Sequence, residues 1–344
     1  MITKIIAEEK INQVQRLLDK YDDIVIVTHV SPDGDAIGSS MGMYHYLTDM
    51  GNNVRVIVPN SFPQFLKWIK DADKIIQYDI RPTESARLIG NAQLIFCLDF
   101  NVLTRIKGLG ELVRASKAKK VMVDHHPFPE DFADVCISYP MVSSTSELIF
   151  RLICRMGDFD RISRAGAESI YTGMMTDTGA FTYNSNSPEI YYIIGELLSK
   201  GIDKDHIYRN VYHSYSVDRF RMMGYMLSEK MTIYSEQKAA LLVLNKEEQD
   251  RFHRQKGDTE GFVNMPLSIK GIIFSAMFRE DSDMIKLSFR SVGKFPVNIF
   301  AAENFNGGGH LNAAGGEFYG SLADAVTKFE EALPAYFKKY YEED

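Results

Sequence analysis

Short β-branched runs alternate with stretches of helical spacing over the first third of the chain. The run "IVIVTHV" (24–30) precedes helical spacing to about Met50; "VRVIVP" (54–59), a predicted helix around 62–70, "LIFCLDF" (94–100) and "KKVMVDHH" (119–126) follow. Strand-sized apolar runs separated by helix-length segments imply βαβ units, and therefore a parallel sheet covered on both faces. Residues 143–157 and 163–177 repeat apolar positions at helical spacing and predict two helices packed on that sheet. A long helical stretch is expected over roughly 203–229. Beyond it the period changes to that of strands: "KMTIYS", "AALLVLN", "GIIFSAMF" and "MIKLSFRS", then a glycine-rich segment and a closing helix from about 321. The pattern predicts an α/β protein in which a parallel-sheet domain (1–190) joins a smaller α/β domain (232–344) through a helical linker (191–231).

Composition narrows the picture. The chain has 344 residues, 45% of them hydrophobic, enough to bury a sizeable core in about two domains. No apolar run approaches the roughly 18 residues of a membrane helix, and no membrane partner is expected. The opening "MITKIIAEEK" carries acids early and lacks a long apolar core, so it does not read as a secretory signal, and a cytoplasmic location is expected. Cys97, Cys136 and Cys154 show no CxxC spacing and read as reduced core residues. A formal net charge of -7 argues against a broad surface for long nucleic acid, which must neutralise many phosphates. A small anionic ligand met by local cations or metal ions remains open.

Candidate chemistry gathers where ligands of doubly wound sheets bind, beyond the carboxyl ends of the strands. His29 follows "IVIVT" with Asp33 and Asp35 behind it; Asp99 follows "LIFCL"; Asp124, His125 and His126 follow "KKVMV". Asp177, in "GMMTDTGAF", ends a predicted helix just before a chain reversal. Each has an ordinary explanation: "SPDGD" is a good turn and helix N-cap, and a strand-end Asp is commonly a cap. Their coincidence is harder to explain without a shared metal site, because all supply the carboxylates and imidazoles that suit Mn²⁺ or Mg²⁺.

The segments "THVSPDGDAIGS", "LDF", "VDHH" and "TGMMTDTGAF" resemble the four successive motifs of the DHH phosphoesterase family, in its order and approximate spacing. The segment "SFRSVGKFPVNIFAAENFNGGGHLNAAGG" is similar to the substrate-binding motif of the DHH-associated C-terminal domain, so the resemblance covers nearly the whole chain. Within the family, the compact second domain most resembles the bacterial oligoribonuclease and 3',5'-bisphosphate nucleotidase group. The resemblance implies a DHH catalytic domain and a DHH-associated substrate-binding domain with the active site in the cleft between them. It implies two divalent ions, most often Mn²⁺ with Mg²⁺ or Co²⁺ as alternatives, one held by His29 and Asp33, the other by Asp35 and His125, with Asp99 and Asp177 shared. Asp124 would orient a neighbouring histidine, and His126 would face the substrate phosphate. Two such ions about 3.5 to 4 Å apart activate water and stabilise both the attacking and departing oxygens of an in-line displacement.

In the second domain, Arg290 of "LSFRS" matches the family's phosphate-binding arginine, whose planar fork suits a terminal phosphate. Gly307, Gly308 and Gly309 would let backbone N–H groups approach the ligand, with His310 adding a polar contact. Taken alone, "NGGGH" is equally a tight turn between strands, and Asn298 equally a strand-edge residue. Thr145 and Glu147 of "SSTSE" read as a helix start with a supporting role.

The expected function is two-metal-dependent hydrolysis of short oligoribonucleotides or 3'-phosphoadenosine 5'-phosphate, in a cytoplasmic hydrolase that the resemblance also permits as a homodimer. Cyclic di-AMP or pApA phosphodiesterase activity is the nearest alternative. Pyrophosphatase or exopolyphosphatase activity, and a non-enzymatic nucleotide-binding regulator, stand further off.

Overall fold

The computed structural model describes residues 4–341, and the chain divides into two compact units, Met1–Ser214 and Tyr215–Asp344. The first is built on six strands: β1 (Asp23–Val27), β2 (Asn53–Val58), β3 (Ile76–Gln77), β4 (Leu94–Leu98), β5 (Lys119–Asp124) and β6 (Val135–Ser138). They lie in the order β3-β2-β1-β4-β5-β6, and every pairing is parallel. The strand order reverses between β1 and β4, which opens a crevice at their carboxyl ends.

Eight helices accompany this sheet: α1 (Glu8–Leu18), α2 (Gly34–Asp49), α3 (Pro82–Asn91), α4 (Gly108–Ala115), α5 (Thr145–Arg155), α6 (Arg164–Asp177), α7 (Pro188–Ser199) and α8 (Lys204–Tyr212). The strands are apolar throughout because both faces are covered. Ile24 and Ile26 of β1 join the core formed with α1, α2 and α5–α8, while Val25 and Val27 point to the opposite face, against α3 and α4. Helices α2 and α6 approach so closely at Gly38 that a Cβ there would lie 2.6 Å from the Ser169 carbonyl and 2.7 Å from the Gly173 backbone. Among the described residues, no helix is long and apolar enough to cross a membrane.

Two local expectations fail. The segment 62–70 buries Phe62, Leu66 and Ile69 at helical spacing, yet it forms only the 3₁₀ turn Gln64–Leu66 after Pro63, and Asp71 takes a left-handed conformation just beyond. Burial at i, i+4 and i+7 was the whole of the helical signal, and a run of tight turns satisfies it equally well. The helical stretch over 203–229 is two helices. α8 ends at Tyr212, and Ser216 caps α9 (Val217–Glu229) by accepting from the Arg219 N–H.

The second unit contains α9, strands β7 (Met231–Tyr234), β8 (Ala239–Leu244), β9 (Phe274–Glu280), β10 (Ile285–Ser291), β11 (Gly308–His310) and β12 (Ala313–Phe318), and helices α10 (Lys246–Arg251), α11 (Val297–Asn304) and α12 (Leu322–Tyr340). Its sheet runs β11-β12-β10-β9-β8-β7, antiparallel except for the β8–β9 pair. One face packs Phe274, Phe278, Phe289, Phe300, Phe305 and Phe329 into an aromatic core with α11 and α12. Strand alternation sends Lys286, Ser288 and Arg290 of β10 to the opposite face. Cys97, Cys136 and Cys154 are free thiols, Cys97 fully buried and the others partly so.

Candidate metal centre

The β1 strand delivers His29 to the crevice, and the turn after it becomes the start of α2. Asp33 is the N-cap of α2: its Oδ1 accepts from the Asp35 and Ala36 N–H groups at 3.1 and 3.0 Å. The other oxygen, Oδ2, faces His29 Nε2 at 3.7 Å. The cap and the candidate ligand are thus the same carboxylate, one oxygen for each role. His29 Nδ1 lies 2.9 Å from the Val30 carbonyl, which can only accept, so Nδ1 carries the proton and Nε2 faces the carboxylates.

Asp99 ends β4 with φ +64, in the left-handed region that aspartate tolerates better than most residues. Its carboxylate is 2% exposed and divides between two histidines: Oδ2 stands 3.3 Å from His29 Nε2, and Oδ1 stands 3.6 Å from His125 Nε2. His125 Nε2 also lies 3.9 Å from Asp35 Oδ2 and 3.5 Å from Asp177 Oδ2. Two donors on ~2.1 Å bonds to one ion sit about 3.0 to 3.5 Å apart, so the 3.3 and 3.5 Å spacings suit ligands around a common cation, and the 3.6 to 3.9 Å pairs are slightly wider than that and too long for hydrogen bonds.

Helix α5 braces the acids from behind. The Thr145 and Ser146 N–H groups donate to the two Asp35 oxygens at 2.6 and 2.8 Å, placing that carboxylate at the positive end of the helix. Thr145 Oγ1 donates to Asp99 Oδ1 at 3.0 Å. Glu147 accepts from Ser143 and from the Arg151 guanidinium, so it locks the helix start and leaves the centre to others. Gly173 of α6 is the matching recess: a Cβ there would come within 2.9 Å of Asp35 Oδ1 and 1.9 Å of Ser146 Oγ.

Electrostatics show why a cation fits. Burial, and then the negative charges of Asp99 and Asp177, hold the Asp35 carboxyl well above the usual range. Burial alone would push the His29 imidazole down, but the Asp33 and Asp99 carboxylates outweigh it and raise it to about 10. The Asp33 side chain is 52% exposed, and the His29 charge and the Ala36 N–H hold its carboxyl below the ordinary value. Four carboxylates and two imidazoles, with no thiolate, form a hard donor set that suits divalent ions of the Mg²⁺ and Mn²⁺ kind. Two groups emerge, His29–Asp33–Asp99 and Asp35–His125–Asp177, and Asp99 Oδ1 also faces His125 in the second.

Asp124 stands behind this set. It is fully buried; its Oδ1 lies 2.7 Å from His126 Nδ1, and its Oδ2 accepts the His126 backbone N–H at 3.0 Å. Burial, followed by the positive charge of Arg105, pushes the His126 imidazole well below its ordinary value. A neutral ring whose Nδ1–H is held by Asp124 presents an unprotonated Nε2. Arg105 is the residue that sequence reasoning missed. It lies in the 3₁₀ turn Leu103–Ile106, its carbonyl accepts from the Val30 N–H at 2.9 Å, and its charge is felt by both Asp33 and His126. An isolated arginine six residues after Asp99 carries no signal until the fold returns it to the His29 loop.

In the second unit, Arg290 of β10 pairs with Ala313 of β12, and Ala313 pairs with His310 of β11. Arg290 and His310 therefore occupy one cross-strand row on either side of a methyl group. Arg290 Nη1 donates to the Phe289 carbonyl at 2.9 Å. Gly307 and Gly309 are pressed against β12, where a Cβ would meet the Gly315 carbonyl at 2.1 Å and the Ala313 carbonyl at 2.4 Å, whereas Gly308 faces open space. Asn298 lies in the first turn of α11, beside Val297, whose N–H donates to the Leu311 carbonyl of the hairpin turn. Its Oδ1 is buried without a hydrogen-bond partner among the described residues.

A Rossmann-ordered domain with a buried carboxylate–imidazole centre, followed by a separate mixed-sheet domain, defines a two-domain class of metal-centred phosphoesterase. The chain belongs to the DHH family: residues 23–174 match the family's N-terminal domain, and residues 238–339 match the DHHA1 domain. Its relatives include the bifunctional oligoribonuclease and PAP phosphatase NrnA of Bacillus subtilis, 26% identical over 92% of this chain and 96% of that one. The NrnA of Thermus thermophilus is 28% identical over 95% and 93%. A crystal structure of an exopolyphosphatase-related protein from Bacteroides fragilis is 58% identical, with a TM-score of 0.94 over 98% of this chain and 99% of that chain.

Proposed function

We propose that the protein is a two-metal phosphoesterase that hydrolyses short oligoribonucleotides and 3'-phosphoadenosine 5'-phosphate in the cytoplasm, with Mn²⁺ as the preferred ion. The observation that carries this reading is the division of the Asp99 carboxylate, one oxygen toward His29 and the other toward His125. The NrnA relatives, which span nearly the same length of chain, are named for those two substrates.

His29 and Asp33 would hold one ion, Asp35 and His125 the other, with Asp99 and Asp177 shared. When bound, the pair supplies Lewis-acid stabilisation of the reacting phosphate and an activated water at neutral pH. The protein's own part is preorganisation. Val30 fixes the His29 tautomer, the α5 N-terminus fixes Asp35, and Thr145 fixes Asp99, so the donors need not reorganise during the reaction. Asp124 holds His126 with Nε2 available to take a proton at the reacting phosphate, and Arg105 adds positive charge on the same side. In the second unit, Arg290 and His310 offer a charged fork and an imidazole to a phosphate from one cross-strand row, with Asn298 and the open Gly308 as further candidates for that contact. One such grip suits a substrate of a few nucleotides better than a long strand.

Because the 58% identical relative is described as exopolyphosphatase-related, polyphosphate is the competing substrate class. The deciding experiment measures initial rates of Mn²⁺-reconstituted protein on 3'-phosphoadenosine 5'-phosphate, pApA, cyclic di-AMP, pyrophosphate and polyphosphate, with Asp99→Ala in parallel. Fast turnover of the first two, abolished by Asp99→Ala, is expected. Preference for the cyclic compound or for the inorganic chains would replace the proposed substrate.

A further inference from the structure

The loop that leaves the DHH segment carries an aromatic side chain for which the fold has no use. Phe128 is 87% exposed and adopts φ +59. For a bulky side chain the left-handed region is a genuine outlier, and such strain persists only where the surroundings impose it. They impose it here from both sides. The Asn101 side chain donates to the Pro127 carbonyl at 2.6 Å, and the Asn101 carbonyl accepts the Glu130 N–H at 2.8 Å. Glu130 in turn accepts from the Leu103 N–H and from Arg114, each at 2.9 Å. Two residues further on, Phe132 stacks on the buried Phe100 with ring planes 4° apart. Pro127, Glu130 and Phe132 are thus tied down, and between them Phe128 is held outward.

Its position gives the exposure a purpose. Only Pro127 separates it from His126, so the two Cα atoms stand within about 7 Å of one another. The exposed phenyl group is therefore carried by the chain segment next to the metal centre, on the carboxyl side of β5. An apolar ring fixed beside a phosphate-handling site is what a nucleobase needs, because every base has a flat π face to lay against it.

We propose that Phe128 is a stacking platform for the base of the nucleotide whose phosphate lies at the metal centre, setting affinity for nucleotides over inorganic phosphates. This rests on the phosphoesterase reading above. Stacking of this kind contributes roughly a five- to hundredfold gain in affinity per base and is indifferent to base identity, which suits a short-oligonucleotide hydrolase without sequence preference.

The test compares the wild-type protein, Phe128→Ala and Phe128→Trp on pApA and on an analogue in which the base at the cleaved nucleotide is absent. The expected result is about a tenfold rise in KM for pApA in Phe128→Ala, with kcat within about twofold, no change on the abasic analogue, and recovery in Phe128→Trp. An unchanged KM, or an equal rise on the abasic analogue, would overturn the assignment. Binding of 2-aminopurine riboside 3',5'-bisphosphate, read by fluorescence quenching, separates this idea from the functional reading. A wild-type protein that hydrolyses none of the nucleotides defeats the phosphoesterase proposal, while quenching that is present in wild type and lost in Phe128→Ala still supports stacking. Equal quenching in both proteins defeats it.

Discussion

Thr145 Oγ1 donates to Asp99 Oδ1 at 3.0 Å, and the same residue's backbone N–H donates to Asp35 Oδ2 at 2.6 Å. One helix-opening residue thus fixes two carboxylates that reach the crevice from different strands and turns. Thr145→Val keeps the backbone bond and the shape and removes only the hydroxyl. Partners that orient metal-binding groups typically carry a 10- to 100-fold share of metal affinity. Mn²⁺ affinity, measured by titration calorimetry, should fall by about that factor while the folding free energy changes by only ~1 kcal/mol. Unaltered affinity would show that Asp99 needs no help from the hydroxyl.

Asp124 plays the corresponding part for His126, with both carboxylate oxygens engaged by that one residue. Asp124→Asn keeps the volume but replaces an acceptor-only group by an amide that can present N–H to Nδ1 and favour the other tautomer. On the proposed mechanism, kcat on pApA should drop by about 10²-fold or more, as expected when a positioned proton acceptor is lost, and KM should change little. A variant with normal kcat would remove His126 Nε2 from the reaction.

The candidate metal residues could be picked out because His29, Asp99 and His125 follow strand ends, where alternation and topology already locate a crevice, while Asp35 and Asp177 stand at a helix start and a helix end. Asp33 shows how close the ordinary and functional readings lie, since its N-cap bonds and its approach to His29 use different oxygens of one carboxylate. Arg105 was not legible, because its role depends on a backbone contact between Val30 and a turn about 75 residues away. The helix expected over 62–70 failed for a related reason, since burial periodicity records which side chains face the core and is silent on how the backbone closes. Gly307 and Gly309 were read as ligand positions, yet what they touch is β12, a contact that only the hairpin register reveals.

Proton linkage at the centre gives a stability signature. The folded protein holds the His29 imidazole at about 10 against an ordinary 6.5. Its contribution is complete below about pH 6.5 and is lost as pH climbs through about 10. Asp35 is also raised, by burial and then by Asp99 and Asp177, so between the ordinary carboxyl range and its folded-state value it works in the same direction, with stability falling as pH rises. Asp33 is lowered; its contribution is complete above the usual carboxylate range and constant across this window. Chelator-treated protein should therefore lose Tm steadily from pH 6.5 to 10, while Mn²⁺-loaded protein, whose donors are deprotonated by the ion, should lose less. Parallel Tm curves with and without Mn²⁺ would argue that these six side chains hold no ion.

The three consecutive glycines separate structural need from ligand need. Alanine at Gly307 would place Cβ 2.1 Å from the Gly315 carbonyl and 2.8 Å from the Gly316 Cα, both backbone atoms held in the sheet. Gly307→Ala should therefore destabilise the protein by ~1–3 kcal/mol, the usual range for forced overpacking, visible as a lower denaturation midpoint. At Gly308 nothing lies within 4 Å of the added atom, so Gly308→Ala should leave the midpoint unchanged to within ~0.5 kcal/mol. If a ligand phosphate approaches that backbone, the same variant should nevertheless raise KM on 3'-phosphoadenosine 5'-phosphate, because the methyl group fills the space the phosphate needs. A Gly308→Ala protein with unchanged midpoint and unchanged KM would place the phosphate elsewhere, leaving Arg290 and His310 to bind it from their shared row without the backbone.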